Sequence, residues 1–162
     1  MKKLDVSLQA DEPLKTGLLR VADCLIKNAQ DRIRNPTNDR EKDLHFVRVM
    51  IKRLRAILRL IRPVISETAF DRENIRLRTA GRSLSAARDA DVARQTLAKL
   101  PAPNKSERDA VAVALAGFSK NGTMEGDISK TMSQIEVDLE QTRRNLCRLR
   151  IPRRGWKAIE PG

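Results

Sequence analysis

The chain has 162 residues, 40% hydrophobic and 33% charged, which fits one folded domain with a sizeable core and excludes a disordered segment. Thirty-three Lys and Arg against 21 Asp and Glu leave a formal charge of +12, which predicts attraction to polyanions or anionic surfaces. Aromatic residues make up only 2%, so the core must be built from Leu, Ile, Val and Ala, as in packed helices. No apolar run reaches the length of a membrane span, and the start MKKLDVSLQADEP lacks the apolar stretch of a signal peptide, so a cytoplasmic protein is expected.

In chain order, a first helix is predicted over Glu12–Ile33, with Pro13 in its first turn and Leu14, Leu18, Val21, Leu25 and Ala29 at helical spacing. Asn35-Pro36-Thr37-Asn38 breaks the pattern, and Thr37 or Asn38 is expected to cap the next helix. The second helix is predicted over Asp39–Arg62 and ends at Pro63. On a helical wheel Val47, Met50, Ile51, Leu54, Ile57, Leu58 and Ile61 share one side. His45, Arg48, Lys52, Arg55 and Arg59 share the other, within an arc of roughly 80°.

A third helical region is expected from Ser66 to Leu100, closed by Pro101 and Pro103. Gly81 and Ser83-Leu84-Ser85 suggest a bend or break within it, with Asp89 or Asp91 near a restart. A fourth helix is predicted over Ser106–Lys120 and a fifth over Glu125–Arg150, stopped by Pro152. Short connections imply antiparallel neighbours. The expected fold is therefore all-α, an antiparallel bundle of four to five helices over residues 1–150, followed by a partly ordered basic tail, 151–162. Cys24 and Cys147 lie far apart in helical apolar patterns without metal-ligand spacing, and are expected as buried free thiols.

Positive charge is concentrated. Lys42–Arg82 carries eleven basic and four acidic side chains, and Arg143–Lys157 carries seven basic and none acidic. The second stretch is expected either to line the same groove as the first or to form a solvated helix end. The ladder from His45 to Arg59 is the sharper signal. A single Arg on it is most simply a solvated side chain. Like charges four residues apart on a helix repel by about 0.2–0.5 kcal/mol per pair, however, and here no glutamate is interleaved. A polyanion would answer that repulsion, and the planar guanidinium donates two parallel hydrogen bonds to phosphate oxygens.

HFVRVMIKRLRAILRLIRP, residues 45–63, resembles the H-x-x-R-V-x-x-[RK]-R-x-R signature of CHAD domains, the conserved-histidine α-helical domains. LRTAGRSLSAARDADV, residues 77–92, is similar to the family's L-x-x-[GA]-[RK]-x-L-x-x-A-R-D-x-D-V stretch. The resemblance covers about residues 12–100, and residues 106–150 agree with it mainly in helical pattern. It implies a helical bundle that binds inorganic polyphosphate non-catalytically through a basic groove, and often accompanies triphosphate-processing CYTH enzymes. The matching positions, and so the implied polyphosphate ligands, are His45, Arg48, Lys52, Arg55, Arg59, Arg82 and Arg88. Association with polyphosphate granules would follow. CHAD domains usually hold two related halves facing each other across the groove. Here Gly155-Trp156-Lys157-Ala158-Ile159-Glu160-Pro161-Gly162 looks like the entry to the second, so either a half-domain that forms a homodimer or a truncated chain is expected.

His45 is the only histidine, a residue more often structural than ligating. The resemblance and its place at the head of the ladder favour a ligand role, and binding that tightens at mildly acid pH is expected from it. Asp89 and Asp91 form no acidic cluster, which points to a cap and an ion pair with Arg88 or Arg82 rather than to metal or general-acid chemistry. With no P-loop, no nucleophile set for the one histidine and no metal-holding carboxylates beside the ladder, neither catalysis nor a cofactor is expected. Non-specific nucleic-acid binding is the main rival. The scarcity of aromatic platforms speaks against single strands, and the nearly pure Arg/Lys face speaks against base reading in a groove. Membrane-surface binding is weaker, because the apolar faces are needed for the core.

Overall fold

The apolar stripes of the sequence become the inward faces of five α-helices in the computed structural model, which describes residues 6–9, 12–101, 104–120 and 124–151. These are α1 (Leu14–Arg34), α2 (Arg40–Leu60), α3 (Glu67–Lys99), α4 (Lys105–Lys120) and α5 (Met124–Arg148), with a 3₁₀ turn at Arg62–Val64. Among the described residues there is no strand, and the fold is all-α. The tail expected over residues 151–162 lies, beyond Ile151, outside the described residues.

Four helices close a ring: α1 packs on α2, α2 on α3, α3 on α5 and α5 on α1. The pairs Arg34–Glu136 and Asp23–Arg143 run α5 antiparallel to α1, and Asn145 against Glu73 runs it antiparallel to α3. The expected antiparallel bundle is therefore present, with α4 outside the ring against α3. Leu25, Ile26, Val47, Ile51, Leu54, Leu77, Ile135 and Leu139 fill its centre, each almost fully buried. Side chains of this size stabilise by about 1.5–3 kcal/mol apiece when withdrawn from water. All five apolar positions expected on α1 are buried, and on α2 only Ile57 is half-exposed.

The α1–α2 connection differs from expectation. Asp39, not Thr37 or Asn38, caps α2, its Oδ1 accepting from the Lys42 N–H at 3.0 Å. Thr37 is engaged elsewhere: its N–H and hydroxyl both donate to the buried Asp43 carboxylate, each at 2.8 Å, and Arg32 donates to the same group at 2.9 Å. The carboxylate thus ties α1, the turn and α2 together. Pro13 immediately precedes α1 rather than standing in its first turn.

No break interrupts α3, which runs for 33 residues. Ser83 and Ser85 donate their hydroxyls to the carbonyls of Thr79 and Gly81, so the polar stretch is satisfied inside the helix it was expected to end. Asp89 lies within α3 and caps nothing, and the side chain of Asp91 is outside the description. Neither thiol is buried as expected, for Cys24 is half-exposed and Cys147 exposed. The fifth helix stops at Arg148, before the expected Arg150.

Three contacts hold one antiparallel register between α2 and α3. Glu41 meets Arg88; fourteen residues on from the first and fourteen back from the second, Arg55 meets Asn74; seven further, Arg62 meets Glu67. Because Glu41 sits in the first turn of α2, the part of α3 beyond Arg88 runs past the end of its neighbour. Between Leu84 and Ile128 no described apolar side chain belongs to the core.

Candidate functional site

The register of α2 and α3 brings two basic helix faces together. Arg48, Lys52 and Arg55 project from α2, and Arg78 and Arg82 from α3, around a cleft of about 220 Å³. Ile51, Leu77 and Gly81 also line it, with Ser85 beside Arg82. Gly81 keeps the floor low: a Cβ there would meet only the Ile51 Cγ2, at the ordinary contact distance of 3.8 Å.

Among the described residues Arg48, Lys52, Arg55, Arg59, Arg78 and Arg82 form no ion pair, whereas Arg20, Arg32, Arg34, Arg62, Arg76 and Arg88 each do. The sequence explains the difference, since α2 holds no acid from Leu44 to Leu60 and α3 none from Asn74 to Arg88. Arg55 registers the crowding. Burial lowers its pKa below the ordinary guanidinium value, and the charges of Arg59, Arg78 and Arg82 lower it further. Its Nε–H donates to Asn74 Oδ1 at 3.3 Å, a neutral acceptor that orients the group without neutralising it.

The expected ligand set divides. Arg48, Lys52, Arg55 and Arg82 line the cleft, and Arg59 stands close enough to Arg55 to repel it. His45 instead borders a wider hollow of about 710 Å³ on the opposite flank of α2, where Phe46, Val49 and Met50 are rimmed by Arg32, Lys42 and Arg53. There the Arg32 guanidinium lies over the Phe46 ring at 4.6 Å. Arg88 is engaged, donating to Glu41 at 2.9 Å, while its Nε is buried without a hydrogen-bond partner. Arg88 is therefore held by Glu41 rather than by Asp89, and the other expected partner, Asp91, has its side chain outside the described residues. For Arg82 no described carboxylate takes that place.

Sequence reasoning passed over Arg78, Asn74 and Gly81. A signal existed, because Asn74, Arg78, Arg82 and Ser85 follow one another at +4, +4 and +3, the spacing of a single helix face. The other basic stretch does not reach the cleft from its described part. Arg143 and Arg144 lie on α5, which packs on α1 and α3, and both donate to Glu140. Arg143 also reaches Asp23 at 3.6 Å. The remainder of that stretch, Pro152 onward, lies outside the described residues.

The described residues contain no group of three or more His, Cys, Asp or Glu able to hold a metal ion, and no helix long and apolar enough to cross a membrane. The site as built is a row of hydrogen-bond donors with fixed positive charge, suited to holding a chain of anionic oxygens.

No curated protein and no solved structure matches the chain. The family model of the CHAD domain matches residues 18–125, a span that includes α2, α3 and every cation of the cleft. The chain belongs to the CHAD domain family.

Proposed function

We propose that this chain binds inorganic polyphosphate, as a non-catalytic module, in the cleft between α2 and α3. CHAD domains are associated in general with polyphosphate binding and are in general non-catalytic. The observation that carries the reading is the cluster of Arg48, Lys52, Arg55, Arg78 and Arg82, with Arg59 beside it, gathered without a carboxylate in a chain that pairs many of its other arginines. A linear phosphate polymer supplies the missing charge at each step along the cleft and, unlike a single-stranded nucleic acid, has no bases that call for an aromatic platform. His45 stands one turn before Arg48 on α2, beside the cleft rather than lining it.

The cleft is open on its outer side. A second copy of the chain, or a companion half-domain, supplies the facing wall in this reading, and a CYTH-type triphosphate enzyme is the partner the family suggests. The corresponding location is the cytoplasm, at polyphosphate granules where these form.

The test is a titration with long-chain polyphosphate and with single- and double-stranded nucleic acid of matched length, across a salt series. A variant carrying Arg48→Ala, Lys52→Ala and Arg55→Ala is measured beside the parent chain. Preference for polyphosphate at physiological salt, lost in the variant, supports the assignment. Equal weak binding to every polyanion, indifferent to the three substitutions, overturns it. Sedimentation at micromolar protein with and without ligand tests the second copy, and a monomer under both conditions removes it.

A further inference from the structure

Along the α2–α3 seam the cleft lies between two ion pairs, neither of which lines it, and Glu41 of the first pair also borders the hollow beside His45. At one end Glu41 holds Arg88 at 2.9 Å; at the other Glu67 holds Arg62 at 2.6 Å. Between Glu41 and Asp71 the facing surfaces of α2 and α3 carry only cations, neutral polar groups and the apolar floor; Asp71, one turn in from Glu67 on the same face of α3 and near enough for its charge to act on Arg62, is the first acid at that end. The cationic run on α2, from Arg48 to Arg59, spans about 16 Å at roughly 1.5 Å per residue. A phosphate chain lying along it meets uncompensated charge over that distance. Beyond either end it meets a carboxylate, which repels it, and an arginine whose charge is already answered.

We propose that Glu41 at one end, and Asp71 with Glu67 at the other, are end stops that fix the length of phosphate chain the cleft can engage, and that Glu41 withholds Arg88 from it. The inference rests on the phosphate-chain reading and goes beyond it by naming what sets the length of the bound segment. Arg88 is the informative residue. It lies on the same helix as Arg78 and Arg82, six residues beyond Arg82. Its Nη2 is held by Glu41 at 2.9 Å, while the side chain remains 38% exposed, so the guanidinium is within reach of the cleft once Glu41 lets go. Glu41 is about half exposed and its carboxylate is tied only across the seam, so its loss removes no buried support. With Glu41 neutralised, the run of free cations extends from Arg82 to Arg88.

The salt dependence of binding reads this directly, because each phosphate neutralised adds about 0.7–0.9 to the slope of log affinity against log salt. Slopes are measured on the full chain for tripolyphosphate, for linear phosphates of increasing length and for long-chain polymer. The variants are Glu41→Gln, Glu41→Ala, Glu41→Gln combined with Arg88→Ala, and Glu136→Gln as a control for net charge on the far side of the bundle. For the parent chain the slope is expected to rise from tripolyphosphate and then become constant. For both Glu41 variants the long-chain slope is expected to steepen by about one contact, ~0.7–0.9, while the tripolyphosphate slope stays the same. Adding Arg88→Ala is expected to reverse the gain, and Glu136→Gln is expected to produce none. A parent slope that keeps rising with chain length overturns the proposal. So does a Glu41 variant with an unchanged long-chain slope, or an equal change in the control. Absence of binding to every phosphate chain overturns the phosphate reading itself, and is distinguished from those outcomes by the parent chain alone.

Discussion

Arg55 and Asn74 face each other across the α2–α3 seam, where the Arg55 Nε–H donates to Asn74 Oδ1 at 3.3 Å. The acceptor is an amide and not a carboxylate, so the guanidinium is aimed while its charge stays available to a ligand. Asn74→Asp replaces that acceptor by an anion of nearly the same shape. It is expected to weaken polyphosphate binding by about tenfold at low salt, and by less at high salt where screening is stronger. Asn74→Ala, which loses the aim but adds no charge, is expected to cost about two- to threefold. Calorimetric titration at two salt concentrations separates the two effects. Equal losses would show that orientation alone matters.

Gly81 offers a substitution with opposite consequences for fold and site. Its nearest neighbour to a new Cβ is Ile51 Cγ2 at 3.8 Å, ordinary contact distance. Gly81→Ala is expected to stabilise α3 by about 0.5–1 kcal/mol, the helix-interior difference between the two residues. Gly81→Leu raises the cleft floor and is expected to weaken phosphate binding while the chain stays folded. Urea unfolding and polyphosphate titration of both variants check the pair.

Glu73 is fully buried, yet it is matched: Asn145 donates to it at 2.7 Å, Arg72 at 3.0 Å, and Arg76 binds its other oxygen. Glu73→Ala leaves Asn145 without its acceptor and opens a gap between α3 and α5. A loss of about 3 kcal/mol in unfolding free energy is expected. Because α5 lies across the ring from α2, binding per folded molecule should be unchanged at temperatures where the variant is folded.

Glu140 links stability to pH. The hydrogen bond from Arg143, then that from Arg144, outweighs the opposing effect of burial and holds its pKa at about 2, below the ordinary 4.5. A carboxyl depressed in this way stabilises the fold above about pH 4.5, and the contribution is lost as pH falls through about 2. The group is 29% exposed, and solvent screening limits the effect to about 1 kcal/mol. Glu140→Gln is therefore expected to cost about 1 kcal/mol at pH 7, with the gap from the parent closing toward pH 2. Denaturant unfolding over that pH range tests it. A constant gap would assign the loss to packing.

The α2 ladder and the aliphatic faces of α1 and α2 were legible because each is a property of one helix, written at a fixed spacing. The second wall of the cleft was not. Arg78 becomes a site residue only when α3 lies beside α2 in a particular register, and that register is set by pairs far apart in sequence. Arg88 shows the converse. Its motif placed it with the ligands, while Glu41, 47 residues away, had already engaged it. Ser83 and Ser85 read as a helix break because their hydroxyls compete for backbone carbonyls. In α3 they bond to carbonyls four residues back and the helix continues. Cys147 lies in an apolar pattern and is nevertheless exposed, since a stripe wide enough to pack has edges that face outward.

The length of α3 has a consequence in time as well as in space. Its first half is clamped between α2 and α5, with Phe70, Leu77, Ala80 and Leu84 in the core. The part beyond Arg88 is covered chiefly by α4, which itself contributes no described buried side chain. Short helices with little packing open readily in water, so the two parts of one continuous helix differ in opening free energy. Amide protons near Leu77 are expected to exchange with solvent only when the whole bundle unfolds. Those near Leu97 are expected to exchange by local fraying, orders of magnitude sooner, along the same unbroken row of backbone hydrogen bonds.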